Sequence, residues 1–209
     1  MRSEKKQERQ QAIFAAAYKV LGEKGYKGTS MLAVAKMAGA SNETMYNWFG
    51  NKQGLLAAMI ESNAAGASNI LESALSPNDM TSEEVTQILE RFGDVLLQML
   101  TGEKAVALNR AAAADVSDGN ILGQLLADNG REKIVPQLVQ FFEVAIKNKR
   151  FKTHDSREMT EIYLALLLAD VQIRRVIGVT NAPDPAATKM HSQRVSELFG
   201  QLFANKSTS

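Results

Sequence analysis

Apolar residues recur along this chain every three or four positions, and no stretch alternates with the two-residue period of a strand. The pattern therefore predicts helices throughout. Ile13, Ala16, Ala17, Val20 and Leu21 form the buried stripe of a first helix, from about Glu8 to about Glu23. The residues before it, polar and basic through Arg2, Lys5, Lys6 and Arg9, are expected to fray, either as a basic arm that touches phosphates or as a solvated tail. The stretch from Thr29 to Lys52 reads as two short helices about a sharp turn. Thr29 or Ser30 caps the first, because a side-chain oxygen there accepts an orphan backbone N–H. Leu32, Val34, Ala35 and Ala38 give that helix an apolar face. Gly39 stands where it must end in a left-handed conformation, and Ser41 caps the second helix, with Thr44 and Met45 in its first turns.

After a Gly50-Asn51 turn, a fourth helix runs from Lys52 to about Leu75, with Leu55, Leu56, Met59, Ile60 and Leu71 among its inward positions. Ser76-Pro77-Asn78-Asp79 breaks the chain, and Thr81 to Glu84 reads as a capping box that opens a helix to about Leu100. An alanine-rich helix from Glu103 to about Val116 follows. Then come a short segment around Ile121 to Leu126 and a longer helix to about Asn148, with Pro136 in its first turns. Asp155 with Glu158 caps a helix expected to run unbroken to Ile177. It is apolar almost all round between Ile162 and Val171, as a helix buried on several sides would be. Asp184-Pro185 opens a last helix to Phe203. The expectation is an all-α chain with a small helix-turn-helix head, 1–52, and a larger helical body, 53–209.

Composition narrows the function. With 209 residues, 45% of them apolar, the chain can form a sizeable core. No cysteine is present, which excludes disulfides and thiolate metal sites and fits a reducing compartment. The charged N-terminus is no secretory signal, and the longest apolar run, Ile162 to Ala169, is too short to span a bilayer, so a cytoplasmic protein without membrane contact is expected. Net charge is +1, but unevenly placed: through Leu55 there are nine Lys and Arg against four acids, and beyond it fifteen against nineteen. A basic head on a mildly acidic body suits a phosphate-facing module on a sensor.

Residues 11–56 resemble the DNA-binding domain of the TetR family of bacterial transcriptional repressors. The likeness is carried by Ile13, Ala16, Ala17, Gly25-Tyr26, Thr29, Val34-Ala35, Ala38-Gly39, Ser41, Tyr46, Phe49, Lys52 and Leu55-Leu56. Met45 and Trp48 depart mildly from that pattern. In the body, Arg110 with Asp115, Pro136, Arg174-Arg175 before Ile177-Gly178, and Asp184-Pro185 with Ala186-Ala187 look like the C-terminal domain of AcrR-like and AefR-like members. The resemblance implies that Thr29, Ser41, Thr44, Tyr46, Asn47 and Lys52 reach bases or phosphates.

The residues themselves add detail. Recognition helices present their N-terminal ends to the major groove, which places Ser41, Asn42, Glu43 and Thr44 at base edges; Ser30 is counted among the DNA-binding candidates as well. Asn42 suits adenine and Glu43 suits the amino group of cytosine. Ser41 equally serves as a mere cap, and Glu43 as a favourable charge at a helix N-terminus. In the body, Met59, Phe92, Met99, Phe141, Phe142, Tyr163 and Leu167 fall on inward faces, where core packing and a ligand pocket are both open readings. Asp170 interrupts an apolar run. It pairs with Arg174 four residues on, or anchors a ligand. The family likeness places the dimer seam on the last two helices, at Ile162, Leu166, Val195, Leu198, Phe199 and Leu202.

His154 and His191 belong to no ligand set, and no phosphate-binding glycine loop, nucleophile elbow or zinc motif occurs, so neither enzyme activity nor a metal or cofactor is expected. The resulting expectation is a homodimeric transcriptional repressor that binds palindromic double-stranded operator DNA and is released by a small apolar or amphipathic effector. A second reading is a helical small-molecule binding protein whose DNA head is vestigial or non-specific.

Overall fold

The computed structural model describes residues 2–75 and 82–205. The breaking stretch at Ser76 to Asp79 and the capping Thr81 lie outside them. The described residues form α1 (Arg2–Gly28), α2 (Met31–Ala38), α3 (Asn42–Phe49), α4 (Lys52–Ala74), α5 (Ser82–Thr101), α6 (Glu103–Asp115), α7 (Ile121–Leu126), α8 (Glu132–Lys147), α9 (Ser156–Leu168), α10 (Val171–Val176) and α11 (Pro185–Phe203). A 3-10 turn, Val116–Asp118, and a π-helical turn, Ala127–Arg131, flank α7. The fold is all-α; the one β-type contact among the described residues is an isolated bridge between Phe151 and Ala204.

The chain divides into two compact units, Met1–Asn63 with Glu103–Gly130, and Ala64–Gly102 with Arg131–Ser209. The unit holding the helix-turn-helix is thus larger than the 1–52 head read from the sequence. Its core joins Ile13, Phe14, Ala17, Val34, Met45, Leu55 and Leu56 to Leu108, Ala111, Ala112 and Leu122. The alanine-rich face of α6 lies close against α1, because small side chains allow close approach. In consequence α4 is not the only covalent link between the units: the chain also crosses at Gly102–Glu103 and Gly130–Arg131.

The second unit is built on α5, packed along α11 with α8 and α9 around them. Its core is aromatic: Phe142 stacks on Phe199 at 5.2 Å, and Tyr163 stands edge-on to Phe199 at 5.5 Å. Asp155 and Asp184 cap α9 and α11, and their carboxylates accept from the backbone N–H groups of Arg157 and Glu158 and of Ala186 respectively.

Three expectations about the helices need correction. First, α1 begins at Arg2 rather than Glu8, and its interruption falls at Gly25, with φ 65°. Its first turns are held by contacts with α2 and α3 described below, which no local pattern reveals. Second, Leu32 does not join the apolar face of α2; it is 64% exposed. A two-turn helix has room for one inward stripe, and Met31, Val34 and Ala35 occupy it. Third, the helix expected to run unbroken to Ile177 is two. It breaks at Ala169, with φ 39° and ψ −120°, and Asp170 follows at the turn. The break frees the carbonyl of Leu167, which sits 3.0 Å from His191 Nε2. It also re-aims α10, so that buried Arg175 donates from Nε to the carbonyl of Thr101, at the end of α5. These tertiary partners favour the break over a continuous run of good helix formers.

Candidate nucleic-acid interface

The reading head is assembled by caps. Ser30 Oγ accepts from Ala33 N–H, and Ser41 Oγ accepts from Thr44 N–H at 3.0 Å. Between them Gly39, with φ 61°, takes the left-handed conformation. Its N–H bonds the carbonyl of Lys36, and Ala40 N–H bonds that of Ala35 at 2.9 Å. This crossed pair is a Schellman ending, which stops α2 sharply and turns the chain into α3.

α3 is anchored by fully buried Met45, while Ser41, Asn42, Glu43, Tyr46 and Asn47 are exposed and Thr44 is half-buried. The Thr44 and Ser41 hydroxyls share a 2.9 Å hydrogen bond. The helix holds no Lys or Arg, and Glu43 sits in its first turn, where the helix dipole favours a carboxylate. Trp48 and Phe49, edge to face at 6.2 Å, close its C-terminal end. Gly54 then lets α4 start against α3: a Cβ there would lie 2.1 Å from the Phe49 carbonyl oxygen.

Two residues expected at the DNA are engaged with the protein. Thr29 is buried, and its hydroxyl donates to the Gly25 carbonyl at 2.7 Å. Lys52 is half-buried; its ammonium donates to the Tyr26 carbonyl at 3.0 Å and lies 3.8 Å from the centre of the Tyr26 ring. Burial lowers the pKa of Lys52, while the carboxylate of Asp115 acts in the opposite sense. Burial likewise raises that of Tyr26, against a hydrogen bond from Gln53. Asp115, buried at the end of α6, also accepts from Leu122 N–H. The sequence offered no local sign that these distant groups would meet.

Sequence reasoning placed Arg9 in a basic arm, at phosphates or in solvent, and missed its partners in the turn. Its guanidinium donates from Nη1 to the Ala38 carbonyl at 3.1 Å and from Nη2 to that of Gly39. One turn earlier, Lys6 Nζ lies 5.7 Å from the Trp48 ring. A basic residue at the right distance before the first apolar stripe was the available signal, but it equally suits a solvated tail.

The candidate ligand residues separate. Met59 belongs to the core of the first unit. Phe92, Phe141, Phe142, Tyr163 and Leu167 are fully buried in the second core, and Met99 packs at its margin. Tyr163 donates to the Leu89 carbonyl at 2.6 Å, and burial raises its pKa. Asp170 is exposed and faces Arg174 at 3.8 Å. A groove of about 550 Å³ does occur in the second unit, but it is lined by Arg131, Val135, Val139, Gln140, Arg157 and Glu161 among others, and by none of these candidates.

The dimer candidates also divide. Val195 and Phe199 point into the core of their own unit, Ile162 and Leu166 are half-buried, and Leu198 and Leu202 are 40% and 55% exposed. Ile173, Ile177, Val179 and Met190 add exposed apolar surface on α10, α11 and the segment between them. Among the described residues no group of His, Asp or Glu could hold a metal ion, and no helix is long and apolar enough to cross a membrane.

Comparison with known proteins agrees with this architecture. Residues 13–59 match the family model for bacterial regulatory proteins of the tetR family, and residues 87–204 match that for the C-terminal domain of AefR-like transcriptional repressors. A relative described as an uncharacterized HTH-type transcriptional regulator, YvkB of Bacillus subtilis, is 31% identical over 94 residues; the match spans 45% of this chain and 46% of that protein. The crystal structure of a TetR transcriptional regulator from Agrobacterium tumefaciens superposes with a TM-score of 0.73 at 28% identity, covering 95% of each chain. The regulator FadR of Bacillus subtilis, crystallised with stearoyl-CoA, shares the fold at a TM-score of 0.63 and 17% identity, over 90% of this chain and 96% of that one.

Proposed function

Because this chain belongs to the TetR family of bacterial transcriptional regulators, we propose that it acts in the cytoplasm as a homodimeric repressor, binding a palindromic operator and released by a small apolar or amphipathic effector. The observation that carries this reading is the face of α3. Asn42, Glu43, Tyr46 and Asn47 are exposed on a helix whose orientation is held by buried Met45 and two capped ends. Side chains so placed at the start of a recognition helix suit base edges, Asn42 for adenine and Glu43 for cytosine. Without Lys or Arg on that helix, phosphate contacts fall to exposed cations elsewhere on the head, such as Lys36.

One head covers too few base pairs for specificity, so two must act together, with half-sites about one helical turn, roughly 34–36 Å, or a multiple apart. The exposed apolar residues Leu198 and Leu202 support a two-fold seam along α11, with Ile162 and Leu166 of α9 beside it. Effector binding in the second unit would act on the reader through α4, which runs from one compact unit into the other, and through the two further chain crossings at the ends of the α6–α7 segment. FadR, crystallised with an acyl-CoA, supports an amphipathic effector class.

The test is selection of DNA from a random pool by the purified protein in the presence of competitor DNA. Recovery of a site with two-fold symmetry is the expected result, and Asn42→Ala should relax preference at one base in each half-site. Enrichment of no sequence would favour a small-molecule binding protein with a non-specific head. An effector found by thermal shift must bind more weakly to the operator complex, by the factor with which it weakens operator binding.

A further inference from the structure

We propose that Arg9 is a positioning residue for the DNA-reading helix: its two hydrogen bonds to the carbonyls of Ala38 and Gly39 set the turn that aims α3. The proposal rests on the DNA-binding reading above. In the Schellman ending of α2, the N–H groups of Gly39 and Ala40 satisfy the carbonyls of Lys36 and Ala35. Further along the turn, the carbonyls of Ala38 and Gly39 are the ones that Arg9 takes. Three residues, Gly39, Ala40 and Ser41, separate the end of α2 from the start of α3, so their dihedral angles decide where α3 points.

Gly39 is the least restrained of them by its own chemistry, since glycine has no Cβ to limit φ and ψ. A planar guanidinium bound to two successive carbonyls restricts the peptide planes on both sides of that glycine. The charge also sits at the C-terminal end of α2, where the helix dipole favours a cation. Arg9 is itself held firmly, because Ile13 and Phe14, one turn further along α1, are buried in the core of the unit. Lys6 over the Trp48 ring adds a second contact from α1 to the far end of α3. Lysine could not replace arginine here, because a single ammonium does not present two donors in a fixed fork. Two of its five N–H donors are committed to the turn, and in this proposal the charge serves the turn and not a phosphate.

The experiment uses the full chain with Arg9→Gln and Arg9→Lys, the operator selected by the wild-type protein, and random-sequence DNA. Arg9→Gln should bind the operator about tenfold or more weakly, as expected for losing a charge-assisted pair. Its affinity for random-sequence DNA and its salt slope should stay as in the wild type. Arg9→Lys, with the charge kept, should recover only part of the operator affinity. Equal losses on both DNAs, with a salt slope smaller by about one unit, would make Arg9 a phosphate contact and overturn the proposal. So would wild-type operator affinity in both variants.

Amide exchange in the free protein gives a readout that does not depend on DNA. The N–H groups of Gly39 and Ala40 should exchange faster in both variants, while those of Val20 and Leu21 keep their rates. Unchanged exchange at the turn would overturn the clamp even if the operator exists. If the wild type selects no operator, the DNA reading fails and the exchange rates alone decide the role of Arg9. Should Arg9→Gln fail to fold, Arg9→Lys carries both comparisons.

Discussion

Gly93 on α5 is where the second unit tolerates no side chain. A Cβ there would lie 2.3 Å from Ser192 Oγ, 2.6 Å from the Tyr163 hydroxyl and 3.0 Å from Leu167 Cδ1. Neither hydroxyl can retreat freely. Ser192 donates to the Glu90 carbonyl at 2.7 Å, and Tyr163 donates to the Leu89 carbonyl at 2.6 Å. Gly93→Ala must therefore push α9 and α11 away from α5 or break those bonds. Helix propensity works the other way and favours alanine by about 1 kcal/mol. Against it stand about 1–3 kcal/mol for overpacking and about 1–3 kcal/mol for each buried hydroxyl left unpaired. With one of the two hydroxyl bonds lost, the net expectation is about 1–5 kcal/mol of destabilisation, and at about 2–4 °C per kcal/mol for a chain of this size Tm should fall by roughly 2–20 °C. Thermal unfolding followed by far-UV circular dichroism measures it. Adding Ser192→Ala removes the shortest contact and should recover part of the loss, as a double-mutant cycle would show. A Gly93→Ala protein as stable as the wild type would refute the close approach of these helices.

Lys52→Met should keep the packing of the stem but lose the bond to the Tyr26 carbonyl, costing about 1 kcal/mol. Because burial holds the folded pKa of Lys52 below the free value of 10.5, the native state releases its proton first, and wild-type stability should rise relative to Lys52→Met as pH climbs through that folded pKa towards 10.5. A salt slope on DNA smaller by about 0.9 in this variant would instead mean that Lys52 leaves Tyr26 for a phosphate. Leu198→Glu should yield monomers in sedimentation that no longer bind the operator; an unchanged dimer would remove α11 from the seam. Gly54→Ala should shift α3 as well as lower Tm, since its Cβ would meet the Phe49 carbonyl oxygen at 2.1 Å. Operator affinity falling no more than random-sequence affinity would show that α3 had not moved.

The sequence by itself determined the helices and their ends wherever the decisive chemistry is local. Ser30, Gly39, Ser41, Asp155 and Asp184 act on backbone groups two to four residues away, so their roles could be read before any fold was known. The apolar stripe through Ile13, Ala17 and Val20 was legible for the same reason: a helix of period 3.6 brings those positions to one face whatever it packs against. The exposed polar face of α3 followed from the cap and from buried Met45.

Tertiary structure alone decided which partner each long side chain found. Arg9 meets residues about 30 positions away, Lys52 meets Tyr26, and Arg175 meets Thr101 across 74 positions. Lys52 turned inward because the fold leaves the Tyr26 carbonyl within its reach, and a half-buried donor favours a nearby acceptor over water; the bond of Thr29 to Gly25 is local, four residues back, and only its burial comes from the fold. The break at Ala169 has the same origin: no glycine or proline marks it, and the hydrogen bonds that accompany it, from His191 and Arg175, come from the fold around it. The aromatic positions at Phe142, Tyr163 and Phe199 were recognisable as inward-facing, but only their mutual contacts decided that they fill a core and do not line the groove. Periodicity says which side of a helix is apolar; whether that side meets a neighbouring helix, a ligand or a second subunit depends on volumes supplied by distant parts of the chain.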